Sequence, residues 1–270
     1  MITTAWLLAT GLAVLPAAFP EPEALEPNVR FWERVYAEWD SGQVVIHDRE
    51  HLDVVYEVVE LGAWRLYPKP TDPKLWKEAV RKRREIIGAH MDAIRAALRS
   101  LEARWKQGGL SESKLEGLER QVYAALRHKP YAIRAASTRL RWQYGLADRF
   151  HEGLERFDRW KEVVLAVFHE EGLPEDLIAL AFVESLFDPH AQSPVGAHGL
   201  FQFMPATARE LGLERNRLYD QRRDPELAAR ALARMLRRSY QRLGNWPLAL
   251  TAHNHGPNGV ARAIEKVGSR

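Results

Sequence analysis

The stretch LPEDLIALAFVESLFDPHAQSPVGAHGLFQFMPATAR, Leu173 to Arg209, concentrates the chain's chemistry, and the remainder reads as scaffold around it. Pro174, Glu175 and Asp176 mark a helix start, a proline at a permitted first-turn position followed by acids that suit the positive end of the helix dipole. Leu177, Leu180, Ala181 and Glu184 then fall at helical spacing, which puts one carboxylate on the apolar face. Burial without a cation partner disfavours the charged form of a carboxyl and lets it keep a proton near neutral pH. Glu184 is therefore the candidate general acid.

Asp188-Pro189 ends that helix, because the residue before a proline is pushed out of the helical region. Ser193 to Gly199 supplies two glycines and a proline for a tight loop, followed by Leu200-Phe201-Gln202-Phe203-Met204 and by Pro205 in the first turn of a further helix. A buried acid, a glycine-bearing loop and an amide side chain lie close along the chain, a pattern that fits a groove better than a plain core. Asp188 is the nearest second acid, and its place before a proline reads as turn capping. With one convincing carboxylate, the two-carboxylate scheme of ordinary glycosidases is not met.

Three blocks of sequence resemble the signature of the soluble-lytic-transglycosylase (SLT) domain. They are Val183-Glu184-Ser185-Leu186-Phe187-Asp188-Pro189, the run Gly196 to Ala208, and Ala252-His253-Asn254-His255-Gly256-Pro257. Upstream, Phe31-Trp32, Val44 to Asp48, Arg139 to Gly145 and Asp148-Arg149-Phe150 are similar to the membrane-bound lytic murein transglycosylases of the D type, so that the resemblance spans most of residues 28 to 265.

The resemblance implies a goose-lysozyme-like fold of glycoside hydrolase family 23 and cleavage of the MurNAc–GlcNAc β-1,4 bond of peptidoglycan with formation of 1,6-anhydro-MurNAc. It implies that Glu184 protonates the leaving oxygen and then, as a carboxylate, takes the proton from the 6-hydroxyl, with the substrate's acetamido group as nucleophile. No metal or organic cofactor is implied. Ser185 would hold Glu184 or the sugar, or else cap the helix end; Gln202 would position the sugar; Asn254 would line the groove. His253 departs from the family, most of which places a tyrosine there to steady the acetamido group. His253 and His255 stand two apart on a helix and point to different sides, so no metal site is expected from them with His190 and His198. Two other readings stay open: a non-catalytic peptidoglycan-binding scaffold, and a goose-type hydrolytic lysozyme that uses water.

Composition agrees with an exported globular protein. The chain has 270 residues, 46% hydrophobic and 28% charged, with a net charge of +3 and a sequence pI of about 9.1. That mild basic bias suits anionic cell-wall polymers without demanding nucleic acid. Cysteine is absent, which excludes a disulfide framework and, as an expectation, a lipoprotein anchor. Residues 1–20 have the apolar run and small residues of a signal peptide, without Lys or Arg in the leading segment. The expected location is periplasmic or cell-envelope, and the expected partners are peptidoglycan glycan strands, with envelope proteins possible.

The whole chain reads as all-α, with an N-terminal helical region over residues 28–156 and a lysozyme-like catalytic domain over 157–270. In the first, Phe31, Trp32, Val35, Tyr36 and Trp39 mark one helix face, and Val44-Val45-Ile46 is a short β-like run. Leu52, Val55, Tyr56 and Val59 return to helical spacing. Pro68, Pro70 and Pro73 form a linker before a long helix from about 75 to 107, on which Arg81 to Arg84 reads as a solvated face. Ser111 caps a helix to about Arg127, and two more helices follow from Pro130. In the catalytic region Asp224-Pro225 starts a helix that Gly244 stops, and Asn245-Trp246-Pro247 starts the next. The chain closes at Ser269-Arg270, where similar proteins continue with another helix and often LysM repeats; either the domain closes here or the sequence is truncated.

Overall fold

The computed structural model describes Phe19 and residues 22–268, and the proposed signal peptide lies outside these apart from Phe19. Two compact units emerge, one covering Glu21–Phe150 and the other containing His151–Arg270. Both are mostly helical.

The first unit opens with α1 (Glu26–Ala37), whose buried residues Phe31 and Val35 lie four apart on one face, as their spacing predicts. β1 (Gln43–Asp48) and β2 (Val55–Glu60) pair antiparallel, with Val44 opposite Val59. The long α2 (Pro73–Lys106) is capped by the Asp72 carboxylate, which accepts from the Lys74 amide at 2.7 Å. After α3 (Gly117–Leu126) come 3-10 turns and then β3 (Leu140–Tyr144), which adds antiparallel to β1 and gives the order β2-β1-β3.

Several local expectations are corrected here. Residues 55–60 are a strand, not a helix. Tyr56 and Val59 enter the core with Ile87, Leu98 and Leu101 of α2, while Val55 and Val58 pack with Phe31 and Trp39 on the other side. A strand buried on both faces loses the polar alternation that would have identified it. Residues 140–144 form β3 where a helix was expected. Ser111 caps no α-helix; its hydroxyl lies 3.0 Å from that of Ser113, and α3 starts six residues later at Gly117. Arg83 is the exception on the basic face, being 3% exposed. It donates to the carbonyls of Trp64 and Arg65 at 3.2 and 3.1 Å and stacks over the Trp76 ring.

Asp48, fully buried at the end of β1, holds this unit's strands to the chain before β3. Its carboxylate accepts from Arg139 Nε at 3.0 and 2.8 Å and from the Glu50 amide at 2.8 Å. The same guanidinium reaches the carbonyls of Arg134 and Ala132, so all of its buried donors have acceptors.

The second unit continues α4 (Ala147–Glu170) into α5 (Ala179–Ser185), α6 (Pro205–Glu210), α7 (Pro225–Leu243), α8 (Trp246–His255) and α9 (Pro257–Val267). Its core joins Val164, Val167 and Phe168 of α4 to Leu180, Phe187, Phe201 and Phe203, and to Ala229, Leu232 and Leu236 of α7. The expected caps hold: Asp224 accepts from the Leu227 amide and Asn245 from the Leu248 amide, each at 2.9 Å, and Gly244 ends α7 at φ +88°. No described helix is long and apolar enough to cross a membrane.

Removing Arg139 while keeping Asp48 leaves a buried carboxylate unpaired, a loss of about 3–5 kcal/mol. Arg139→Met should therefore lower the urea midpoint of the first unit strongly. Unfolding followed by tryptophan fluorescence checks this, and the double variant Asp48→Leu/Arg139→Met should recover part of the loss.

Candidate active site

Glu184 sits in the last turn of α5, a helix of seven residues that begins as a 3-10 turn at Glu175–Ile178. Leu177, Leu180 and Ala181 are buried as the spacing requires, and Glu184 lies at the edge of their face with its side chain 20% exposed. The carboxyl is thus half-buried and open to solvent. An imidazole stands beside it, His253 Nε2 lying 3.3 Å from its Oε1.

The chain leaves α5 through two consecutive left-handed residues, Leu186 at φ +52° and Phe187 at φ +59°. Neither is glycine, so the turn is strained and persists only because its surroundings over-determine it. Arg156 grips the Leu186 carbonyl with Nε and Nη2 at 3.1 and 2.9 Å, and the Phe187 ring is buried against Phe157 and Phe182. Gly153 approaches so closely that a Cβ there would stand 3.0 Å from the Leu186 oxygen.

Ser185 is buried, and its hydroxyl lies 3.0 Å from the Ala181 carbonyl and 2.9 Å from the Leu200 carbonyl while accepting from the Asp188 amide. This is the helix-end role, and it ties α5 to the loop at Leu200; the hydroxyl is not bonded to Glu184. Asp188 caps the following turn, its carboxylate accepting from the His190 amide at 2.8 Å.

The glycine loop doubles back on itself, with His198 bridged to both Gln192 and Phe203. Gln202 adopts φ +48°, and its Nε2 donates to the carbonyls of Gly199 at 2.9 Å and Ala191 at 3.3 Å. The amide that had to find a partner finds it in its own loop. Phe203 then presents its ring to the edge of His253, centroids 6.5 Å apart and planes at 73°. Asn254 is exposed near the end of α8 and makes no side-chain bond with the described residues. The structure therefore brings Glu184 and His253 together, uses Ser185 and Gln202 to hold the local backbone, and leaves Asn254 accessible.

The residue that sequence reasoning missed is Arg222, the largest fully buried side chain described. Its guanidinium donates to both oxygens of Asp220, at 2.9 and 2.6 Å, and through Nη1 to the carbonyls of Gly196 and Phe203, each at 2.9 Å. Asp-Gln-Arg-Arg-Asp-Pro carries no local signal that one of its charges is buried. The Arg222 hydrogen bonds hold the Asp220 carboxyl below the usual range, despite some opposing desolvation. Burial, and then the nearby Arg222 charge, push the His198 imidazole down.

Two surface cavities lie away from Glu184. One is lined by residues of the first unit such as Arg30, Phe31 and Leu52, the other by Arg209, Leu213, Tyr219 and Arg222 of the second. Among the described residues no cluster of three or more His, Cys, Asp or Glu could hold a metal ion.

Two outcomes follow from the loop's construction. Gly199 has φ +82°, and a Cβ there would stand 1.7 Å from the Arg222 carbonyl oxygen. Gly199→Ala should abolish folding of this unit or lower its Tm far beyond the usual cost of a surface change. A lowered His198 pKa means that the unfolded chain binds a proton more readily, so this contribution is complete above about pH 6.5 and is lost as pH falls towards the folded value. Calorimetry from pH 7.5 to 5 should show Tm falling, with a smaller fall in His198→Gln.

Residues 167–270 match the family model of the transglycosylase SLT domain. Membrane-bound lytic murein transglycosylase D of Escherichia coli K12 is 39% identical over 97 residues, 36% of this chain and 22% of that protein. Membrane-bound lytic murein transglycosylase F of Alcanivorax borkumensis is 33% identical over 41% of this chain and 28% of its own length. The transglycosylase of Enterobacteria phage PRD1 is 36% identical over 37% of this chain and 36% of its own. The chain thus spans about a fifth to a third of the length of these curated relatives. The 97-residue match is narrower than the resemblance expected over residues 28 to 265. The structure of lytic transglycosylase Slt from Pseudomonas aeruginosa covers 63% of this chain and 30% of its own at 24% identity, with a TM-score of 0.33, an overlap too small to define a shared fold. The strained Glu184 turn, the glycine loop and the end of α8 all fall inside residues 167–270, the segment that matches the transglycosylase SLT domain.

Proposed function

We propose that the chain is a peptidoglycan lytic transglycosylase that cleaves the MurNAc–GlcNAc β-1,4 bond and leaves a 1,6-anhydro-MurNAc end. The observation that carries this reading is the pairing of a solvent-reachable Glu184 with a neighbouring acid, Asp188, whose carboxylate is committed to a turn. Of these two carboxyls Glu184 is the one left for the chemistry, so a reaction that uses one carboxyl twice is favoured over one that divides acid and nucleophile between two.

The atoms balance without water. Glu184 gives its proton to the glycosidic oxygen as the C1–O bond breaks, and the substrate acetamido oxygen closes onto C1. The 6-hydroxyl then displaces that oxygen at C1, and its proton returns to Glu184. The enzyme ends in the protonation state in which it began. Asn254, exposed near the end of α8, is left open to a sugar. Ser185 and Gln202 serve substrate through the backbone they hold.

Residues 1–20 are the proposed export signal, which places the enzyme in the cell envelope with glycan strands as its partner. Two of the named relatives are membrane-bound lytic murein transglycosylases, which supports that location.

Incubation with purified sacculi tests the reading. The wild type should release muropeptides lighter by one water than hydrolysis products, and Glu184→Gln should lower the rate by about 10²–10⁴-fold while sacculus binding is retained. Reducing MurNAc ends would make the protein a goose-type hydrolase. Binding without release by the wild type would make it a scaffold.

A further inference from the structure

His253 lies in α8 with its side chain 9% exposed, its Nε2 3.3 Å from Glu184 Oε1 and its ring edge against Phe203. Its Nδ1 is buried and has no hydrogen-bond partner, and it is the sole side-chain polar atom so placed among the described residues. Among the described residues Glu184 is the one carboxylate within ion-pair distance of the ring.

These contacts select among the three forms of imidazole. An imidazolium would bury a charged N–H at Nδ1 with no acceptor, a penalty larger than for a neutral group. A neutral ring protonated on Nδ1 would also strand a donor and would turn the Nε2 lone pair towards a carboxylate oxygen. A neutral ring protonated on Nε2 sets donor against acceptor and leaves only a weak acceptor unpaired.

We propose that His253, as the neutral Nε2–H form, is the positioning residue of Glu184: it donates to Oε1 and so restricts proton release and uptake to Oε2. The proposal rests on Glu184 being the acid and base. Oε1 accepts that hydrogen bond equally well as the carbonyl oxygen of the acid and as an oxygen of the carboxylate. One fixed donor therefore serves both half-reactions, and His253 never changes its own protonation. The O–H bond that breaks in the first step and forms in the second is at Oε2. A separation of 3.3 Å is slightly long for such a bond, as catalytic hydrogen bonds often are before substrate tightens them.

The test uses the full chain with solubilised glycan strands, and compares His253→Phe, which keeps the ring but removes the donor, with His253→Gln, which supplies an amide donor. His253→Phe should lower kcat by about 10²-fold with KM unchanged, as expected when a reacting group is misplaced. His253→Gln should restore most of it. In a Glu184→Gln background, His253→Phe should have no further effect. A raised KM with kcat retained, or Gln no better than Phe, would overturn the proposal in favour of a ring that touches the sugar.

Long-range ¹H–¹⁵N spectra of the wild-type imidazole, with the His253 signals assigned by their loss in His253→Gln, give a readout that needs neither activity nor folding of the Phe variant. A bare Nδ1 and a protonated Nε2 are expected. A charged ring or protonated Nδ1 would contradict the proposal. If the wild type releases no anhydro products, the functional reading fails, while these spectra still decide the form of His253.

Discussion

The second unit depends on one buried guanidinium. Arg222 neutralises Asp220 and at the same time donates to the carbonyls of Gly196, inside the glycine loop, and Phe203, just after it. The Phe203 carbonyl also accepts from the His198 amide, so the guanidinium reinforces the loop's own bridge; a buried carbonyl left unpaired would cost about 1–3 kcal/mol. Held in this way, the loop becomes a rigid hub. Through the Leu200 carbonyl it meets the Ser185 hydroxyl and so locates the end of α5, which carries Glu184. Through Phe203 it meets His253 on α8. Glu184 and His253 are thus referred to a common frame, although they stand 69 residues apart in sequence.

Strain is part of that frame. Leu186, Phe187 and Gln202 occupy the left-handed region without being glycine, and each is tied down by a specific partner: Arg156, the Phe157–Phe182 aromatic pair, and the Gly199 carbonyl. Glycine would relieve the backbone at these positions but would forfeit the anchoring side chain at Phe187 and the clamp at Gln202. The sequence therefore accepts about 1–3 kcal/mol per residue to aim α5 and the loop.

Much of this was legible in the residues. The position of Glu184 beside the buried Leu177, Leu180 and Ala181 followed from helical spacing, the caps at Asp224 and Asn245 from the residues before Pro225 and Trp246-Pro247, and the tight loop from Gly196 and Gly199. Other features were not, for identifiable reasons. Val55, Tyr56, Val58 and Val59 pack apolar side chains on both faces of β2, which therefore shows neither strand nor helix periodicity cleanly. Arg83 and Arg222 look like any other surface charge until tertiary neighbours supply carbonyls for them. Ser185 and Gln202 carry the right chemistry for a ligand, yet backbone groups close by in the fold claim their donors first. That the Glu184 partner is an imidazole could be read from position 253, but its distance and its stranded Nδ1 could not.

The central claim is that one carboxyl acts twice and that water does not enter the new end. Digestion of sacculi in H₂¹⁸O, followed by mass spectrometry of the released muropeptides, asks this directly. An intramolecular closure at C1 incorporates no ¹⁸O, and unlabelled anhydro ends are the expected result. Products carrying ¹⁸O at the MurNAc anomeric carbon from the first minutes of digestion would contradict it and show that Glu184 activates water instead.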